Sequence, residues 1–324
     1  MESDKKTFAV TGAAGFICSH LVEKLLSQGH IVYGLDNFEN GVKENMSSFI
    51  NNENFKFFEK DFSDTEQMND LIALLGFQKV SFDGIFHVGG LPRITPSIAN
   101  PARTFACNVI GTFAMLEFAR ALKINRFVYS ASSSAYGQTD KLPNSTSDDE
   151  NCNNPYSVTK WIGEELCTTW AKCYGINTVS LRYFNVYGPR SQLAGSAYDP
   201  LIGIFYRQKL KEKVPMTIVE PGTQLRDMTY VSDVVEANLA AMEKCHLFPG
   251  RVFNVGTGKN YSVLDVARMV SGETAFIPPR LHDAKATLAD IRDTTECLGW
   301  TPKVSFEEGI ELMRQHYTEL FKSE

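Results

Sequence analysis

The chain has 324 residues, 43% of them hydrophobic and 22% charged, with a formal net charge of −6. That length supports about two ordinary domains, or one large α/β body with an appended lobe, and the acidic balance argues against a nucleic-acid partner, whose phosphates recruit clustered Lys and Arg. No apolar run reaches the roughly 18 residues of a membrane span, and Met1-Glu-Ser-Asp-Lys-Lys6 leads into a strand without the apolar stretch of a signal peptide. A soluble cytoplasmic protein without a membrane partner is expected. Seven cysteines, at 18, 107, 152, 167, 173, 245 and 297, include no Cys-x-x-Cys pair, and no histidines pair at metal spacing; this composition predicts reduced thiols and no metal site.

In chain order, Phe8 to Val10 is a short apolar run that ends at Gly12 and reads as a buried strand. Ile17, Leu21, Leu25 and Leu26 then recur at helical spacing over 15–28. His30 to Asp36 predicts the next strand, Phe55 to Phe58 and Gly84 to His87 two more, with helical patterns near 64–76 and 98–122. Arg126 to Ala131 and Thr178 to Tyr183 are the fifth and sixth strands, separated by a helix of about five turns from Pro155, a favoured first-turn residue. Six alternations of strand and helix predict a Rossmann-like, doubly wound α/β fold with a parallel sheet covered on both faces. Beyond residue 186 the pattern loosens: a helix near 200–212, a strand at Val252 to Val255, and helices over 262–271 and 305–321. The expected organisation is a dinucleotide-binding domain over 1–185, to which 233–261 returns, and a smaller mixed α/β substrate lobe built from 186–232 and 262–324.

Gly12-Ala-Ala-Gly15-Phe16-Ile17 follows the first strand and opens the first helix. Glycine lets the backbone approach a pyrophosphate, and a helix N-terminus supplies amide donors and a positive dipole end. Ala14 belongs to this turn, and Cys18 stands where a third glycine is common. Asp36, 24 residues after Gly12 at the end of the second strand, can accept from a ribose diol and would repel a 2′-phosphate, which favours NAD over NADP; Asn37 follows it. Asp61 and Phe62, after the third strand, can reach an adenine. Val88, Gly89 and Gly90, after the fourth, offer small residues beside a dinucleotide.

Tyr156-Ser-Val-Thr-Lys160 places two side chains on one helical face. A phenol with a reference pKa of about 10 is a poor base, but a neighbouring ammonium and a cationic nicotinamide favour the phenolate. Ser132, Ser133 and Ser134, after the fifth strand, can share a substrate hydroxyl.

These segments, with Asn108-Val-Ile-Gly-Thr112, Phe127 to Gly137, Arg182-Tyr-Phe-Asn-Val-Tyr-Gly188, Arg226 to Asp233 and Phe253 to Gly258, resemble the extended short-chain dehydrogenase/reductases, specifically the NAD-dependent nucleotide-sugar epimerase/dehydratase family, over nearly the whole chain. The resemblance implies NAD as cofactor, with Asn108 and Tyr183 added to its site, and Tyr156, Lys160 and Ser132 as catalytic residues. Tyr156 would take the C4 hydroxyl proton while hydride passes to NAD, the 4-keto sugar would turn over, and hydride would return to its other face; Lys160 would lower the tyrosine pKa and hold the nicotinamide ribose. Dehydratases of the family carry an Asp-Glu pair, and decarboxylases a Glu, where this chain has Ser133 and Ser134, so simple 4-epimerisation is implied. A uronic-acid epimerase on the same scaffold, or a cofactor-binding protein without turnover, is the alternative.

The same resemblance assigns Asn185, Arg226 and Arg280 to a UDP-linked sugar nucleotide, both arginines near the diphosphate. Thr287 falls at a gate where bulky tyrosine excludes 2-acetamido sugars, which points toward UDP-GlcNAc and UDP-GalNAc. Arg93, in the loop Leu91-Pro-Arg-Ile94, either contacts a carboxylate or acetamido group or faces solvent. The family commonly forms homodimers through two helices per subunit, here 98–122 and 155–174, with Trp161 and Trp170 serving either the interface or the core.

Overall fold

The computed structural model describes residues 5–191, 200–279 and 284–322. Seven parallel strands form the central sheet, in the order β3-β2-β1-β4-β5-β6-β11. The first six are β1 (Thr7–Thr11), β2 (Ile31–Asp36), β3 (Phe55–Glu59), β4 (Gly84–His87), β5 (Arg126–Ser132) and β6 (Asn177–Tyr183). After them come β7 (Val186–Tyr187), β8 (Met216–Val219), β9 (Leu225–Asp227), β10 (Thr229–Tyr230), β11 (Arg251–Val255), β12 (Asn260–Ser262) and β13 (Thr274–Ile277). Every residue of β4 is buried, as a strand covered on both faces must be.

The helices are α1 (Phe16–Ser27), α2 (Thr65–Phe77), α3 (Ile94–Ala99), α4 (Pro101–Phe105), α5 (Gly111–Ala121), α6 (Pro155–Tyr174), α7 (Leu201–Tyr206), α8 (Val231–Lys244), α9 (Val263–Val270) and α10 (Phe306–Leu320). One apolar cluster joins Leu21, Val22 and Leu25 of α1 to Val234, Val235 and Ala241 of α8 against the sheet. A second joins Met68 and Leu71 of α2, Met115 and Phe118 of α5, and Cys167 and Trp170 of α6. The sheet is thus sandwiched, as its buried central strands require. A third cluster, away from the sheet, packs Phe205 and Tyr206 of α7, Ile218 of β8, Val266 of α9 and Met313 and Tyr317 of α10.

The structure differs from the sequence expectations in three elements. The helix expected over 98–122 is broken: α3 ends at Ala99, Pro101 starts α4, and a wide turn of π-helix, Ala106–Ile110, precedes α5. Proline 101 explains the first break, because it lacks the N–H that would continue the ladder. Helix α8 was not anticipated. The three two-stranded ladders, β10 with β7, β12 with β9 and β13 with β8, are too short to leave a period in the sequence. Trp170, left open between interface and core, packs into the second cluster at 9% exposure.

Strand order reverses between β1 and β4, whose last residues pair Thr11 with His87. Chains leaving a parallel sheet in opposite directions open a crevice at the carboxyl ends of the strands, and the candidate site lies there.

Candidate active site

A cleft of about 610 Å³ runs from the Gly12 turn to Thr287, within the roughly 300–1,000 Å³ usual for ligand sites. Gly12 has φ +73°, and a Cβ on it would lie 2.8 Å from the Gly89 Cα and 2.9 Å from the Cys18 Sγ. Only glycine lets the β1 and β4 loops approach this closely. Helix α1 starts at Gly15 with no side-chain cap and no acidic residue in its first turn, so its positive end is open to an anion. The Asp36 carboxylate accepts from the Ala14 amide at 3.0 Å and the Phe38 amide at 2.7 Å. Burial raises its pKa and these amides pull it back. The fixed carboxylate keeps lone pairs for a diol. This cradle, open helix end and acid fit a dinucleotide.

Helix α6 delivers the tyrosine and lysine. Asn154 caps it, accepting from the Ser157 amide at 2.9 Å, while Ser157 Oγ accepts from the Asn154 amide at 3.3 Å; such a reciprocal box satisfies two otherwise orphaned donors. The Tyr156 amide donates to Ser97 Oγ at 3.1 Å, tying the helix start to α3. Gly163 lets α6 settle onto β5: a Cβ there would sit 2.1 Å from the Tyr129 hydroxyl. Lys160 is consequently buried, donating to the Ser130 carbonyl at 2.8 Å with its Nζ 5.1 Å over the Tyr129 ring. Burial pushes its pKa down to about 8.

Burial also pushes the Tyr156 phenol above its ordinary value, while the Ser132 hydroxyl and the Arg93 guanidinium pull it down. The Lys160 ammonium, one turn along the same helix, is turned toward Ser130. Arg93 lines the cleft, with its backbone at φ +82°. Ser132 Oγ accepts from the Ser134 amide at 3.2 Å and the Ser134 hydroxyl at 2.9 Å, which leaves its own proton to bond the Tyr156 phenol.

Behind the cofactor wall, Thr112 Oγ1 donates to the Asn108 carbonyl at 2.6 Å. With that proton committed, Thr112 accepts from His87 Nε2 at 3.1 Å, and His87 Nδ1 accepts from Thr11 Oγ1 at 2.8 Å. Thr11 Oγ1 in turn accepts from the Gly89 amide at 3.0 Å. The network admits only a neutral imidazole with its proton on Nε2, and burial holds the His87 pKa down at about 3.

Of the residues singled out in the sequence, Gly12, Gly15, Phe16, Ile17, Asp36, Asn37, Phe62, Val88, Gly89, Gly90, Arg93, Ser132, Ser133, Ser134, Tyr156, Lys160, Tyr183, Asn185, Arg226 and Thr287 all line the cleft. Three stand behind it. Ala14 is fully buried and contributes its amide to Asp36. Asn108 holds the loop by accepting from the Leu91 amide at 2.8 Å and donating to the Leu91 carbonyl at 3.0 Å. Asp61, expected at the adenine, is ion-paired with Arg103 at 2.7 Å and accepts from Ser63. Arg280 lies outside the described residues. Asn185 donates to the Asp227 carbonyl at 2.9 Å and to Thr287 Oγ1 at 3.3 Å, bringing β6's end and the C-terminal loop to one point.

Sequence reasoning missed Glu39, Asn45, Arg190, Ser191, Thr217 and Gln224 on the same wall. All seven cysteines are free thiols. Among the described residues no group of acids, histidines or cysteines could hold a metal ion, and no helix is long and apolar enough to cross a membrane.

Residues 8–256 match the NAD dependent epimerase/dehydratase family. The chain belongs to that family, whose cofactor is NAD. A UDP-glucose 4-epimerase of Mycolicibacterium smegmatis is 34% identical over 308 residues, covering 93% of this chain and 95% of its own. A UDP-N-acetylglucosamine 4-epimerase of Methanobrevibacter ruminantium, solved with UDP-N-acetylmuramic acid, superposes with TM-score 0.89 at 28% identity, over 98% of this chain and 100% of that one. A UDP-glucuronic acid 4-epimerase of Bacillus cereus, solved with UDP-glucuronic acid and NAD, gives TM-score 0.86 at 31% identity, over 97% and 99%. This member of the family therefore has relatives and structural neighbours that are UDP-sugar 4-epimerases with differing sugars.

Proposed function

We propose that the protein is an NAD-dependent 4-epimerase of a UDP-hexose, and that its substrates are the 2-acetamido sugars UDP-GlcNAc and UDP-GalNAc. The observation that carries the first part is the meeting of Tyr156, Ser132 and Lys160 on one wall of a cleft whose other end is the Gly12 cradle. The dinucleotide, when bound, supplies hydride acceptance and return at the sugar C4. The Gly12–Ile17 turn, Asp36 and Lys160 would hold it. Tyr156 removes the C4 hydroxyl proton and gives it back, Ser132 donates to the hydroxyl oxygen, and Arg93 stabilises the phenolate by charge. Ser133 and Ser134 offer no carboxyl for elimination of water, which supports epimerisation over dehydration.

The acetamido assignment is supported by Thr287, a small residue on the cleft wall bonded to Asn185 and to the Asp227 amide, where an aromatic ring would narrow the cleft. A uronic-acid substrate is the second reading, favoured by Arg93 on the cleft wall. Incubation with UDP-GlcNAc, UDP-glucose and UDP-glucuronate, products resolved by NMR, separates them: conversion of UDP-GlcNAc is expected to be fastest, and Thr287→Tyr to lose it while sparing UDP-glucose. Turnover of UDP-glucuronate alone would overturn the assignment.

We also propose a homodimer. Its support is an apolar band on the helices around the π-turn: Phe105, Ile110 and Phe113 are 46%, 39% and 39% exposed, and Phe113 continues through Trp170 to Tyr174 on α6. A location in the cytoplasm accords with free thiols throughout.

A further inference from the structure

Asp227, the last residue of β9, is fully buried. Its carboxylate accepts four hydrogen bonds from uncharged groups: Oδ1 from the Thr257 amide at 2.8 Å and the Thr257 hydroxyl at 2.7 Å, Oδ2 from the Gly258 amide at 3.0 Å and the Ala289 amide at 3.0 Å. Donors on both oxygens suit an ionised carboxylate, which only accepts; burial raises its pKa and these bonds pull it back. The donors come from two segments distant in sequence, the loop after β11 and the stretch 284–290. The peptide groups of Asp227 join a third: its amide donates to Thr287 Oγ1 at 3.3 Å, and its carbonyl accepts from Asn185 Nδ2 at 2.9 Å. The segments approach closely, since a Cβ on Gly256 would lie 2.4 Å from Ala289 Cβ and 2.9 Å from Asp227 Oδ2. Asn185 keeps φ +29°, a conformation that persists only where the surroundings enforce it.

Successive residues of a strand point to opposite faces. On β9, Arg226 lines the cleft while Asp227 lies behind it. Asn185 and Thr287 line the same wall, so the three segments that meet at Asp227 each carry a cleft residue. Leu225 adds to the junction, donating its amide to the Lys285 carbonyl at 2.9 Å and accepting from the Thr287 amide at 3.0 Å. We propose that Asp227 is a positioning residue for the sugar nucleotide: its carboxylate fixes β9 against the stretch 284–290, so that Arg226, Asn185 and Thr287 keep one spacing on the cleft wall before the ligand arrives. The inference rests on the UDP-sugar reading above. The carboxylate, having no exposed surface, touches no ligand and acts through these three residues. Preorganisation of a binding wall lowers the cost of ordering it on association, and it leaves the proton transfer at Tyr156 unchanged. Its loss therefore belongs in KM and not in kcat.

Asp227→Asn keeps the side-chain volume but turns an NH2 group toward an amide donor, whichever way it is flipped. The full chain loaded with NAD is titrated with UDP by calorimetry, and its kinetics are measured on whichever UDP-hexose the unaltered chain converts. Asp227→Asn is expected to raise Kd for UDP and KM for the sugar nucleotide by about tenfold, with kcat within about threefold and NAD affinity unchanged. Thr257→Val removes one of the donors and should move UDP the same way by about two- to threefold; it carries the same readings should Asp227→Asn fail to fold, judged by circular dichroism. Met313→Ala opens a cavity in the third apolar cluster and should lower Tm while leaving UDP affinity as it was. Unchanged UDP affinity in folded Asp227→Asn overturns the proposal, as does a fall in kcat with UDP affinity retained. Equal weakening by Met313→Ala overturns it too, since the effect would then be general loosening. An unaltered chain that does not bind UDP overturns the UDP-sugar reading and the proposal together, whereas the other outcomes overturn the proposal alone.

Discussion

A phenol pushed up by burial and pulled down by a hydroxyl and a guanidinium is poised by its neighbours rather than by its own chemistry. Tyr156→Phe removes the proton acceptor and leaves the ring's packing. It should therefore lower kcat by about 10²–10⁴-fold while NAD affinity stays within a few-fold of the unaltered chain; retention of turnover would remove Tyr156 from the reaction. The Tyr156–Lys160 pair was legible because helical spacing alone puts both side chains on one face, and Asp36 because strand and glycine turn bracket it. The direction in which Lys160 points was not legible: it follows from Gly163 letting α6 drop onto Tyr129, a contact between residues 34 apart in sequence. The partner of Asp61 was not legible for a similar reason, since Arg103, which pairs with it, comes from α4. Arg190 and Ser191 gave no signal, because their place on the cleft follows from how distant segments fold around them.

At the scale of elements, buried parallel strands were readable because their apolar runs are short, continuous and bounded by glycine and polar turns. Helix α8 carried an equally plain pattern, with Val231, Val234, Val235, Asn238, Ala241 and Met242 buried at helical spacing, and its absence from the expected elements is a misreading rather than a silence of the sequence. The helix break at Pro101 has a different consequence. It turns α4 and the π-turn so that Phe105, Ile110 and Phe113 emerge, although Val109, Met115 and Phe118 on the same stretch are buried. A contiguous exposed apolar band on otherwise amphipathic helices is a surface suited to association, and a second copy would cover it isologously. Sedimentation should show a dimer at micromolar concentration, and Phe113→Glu, which places a charge in the band without touching the cleft wall, should shift it to monomer. A monomeric parent chain would refute the reading.

At the scale of the whole molecule, stability is tied to pH through histidine. His87 is neutral between Thr11 and Thr112, and protonation would force a second donor onto a network that has only one acceptor for it, with the Lys160 ammonium adding repulsion. Its folded pKa of about 3 lies below the ordinary histidine value, so the unfolded chain binds the proton first and stability falls as pH drops below about 6.5. For one histidine that amounts to about 2 kcal/mol by pH 5. His20 and His316 are shifted the same way by burial and add to the slope. The buried carboxyls of Asp36, Glu164 and Asp227 have raised values, so acid favours their folded forms and opposes it. Thermal unfolding followed from pH 7.5 to 5 should show a falling Tm, and His87→Gln should lower the Tm at pH 7.5 yet flatten its fall toward pH 5. An unchanged slope in that variant would mean that His87 is not the group through which acid destabilises the fold.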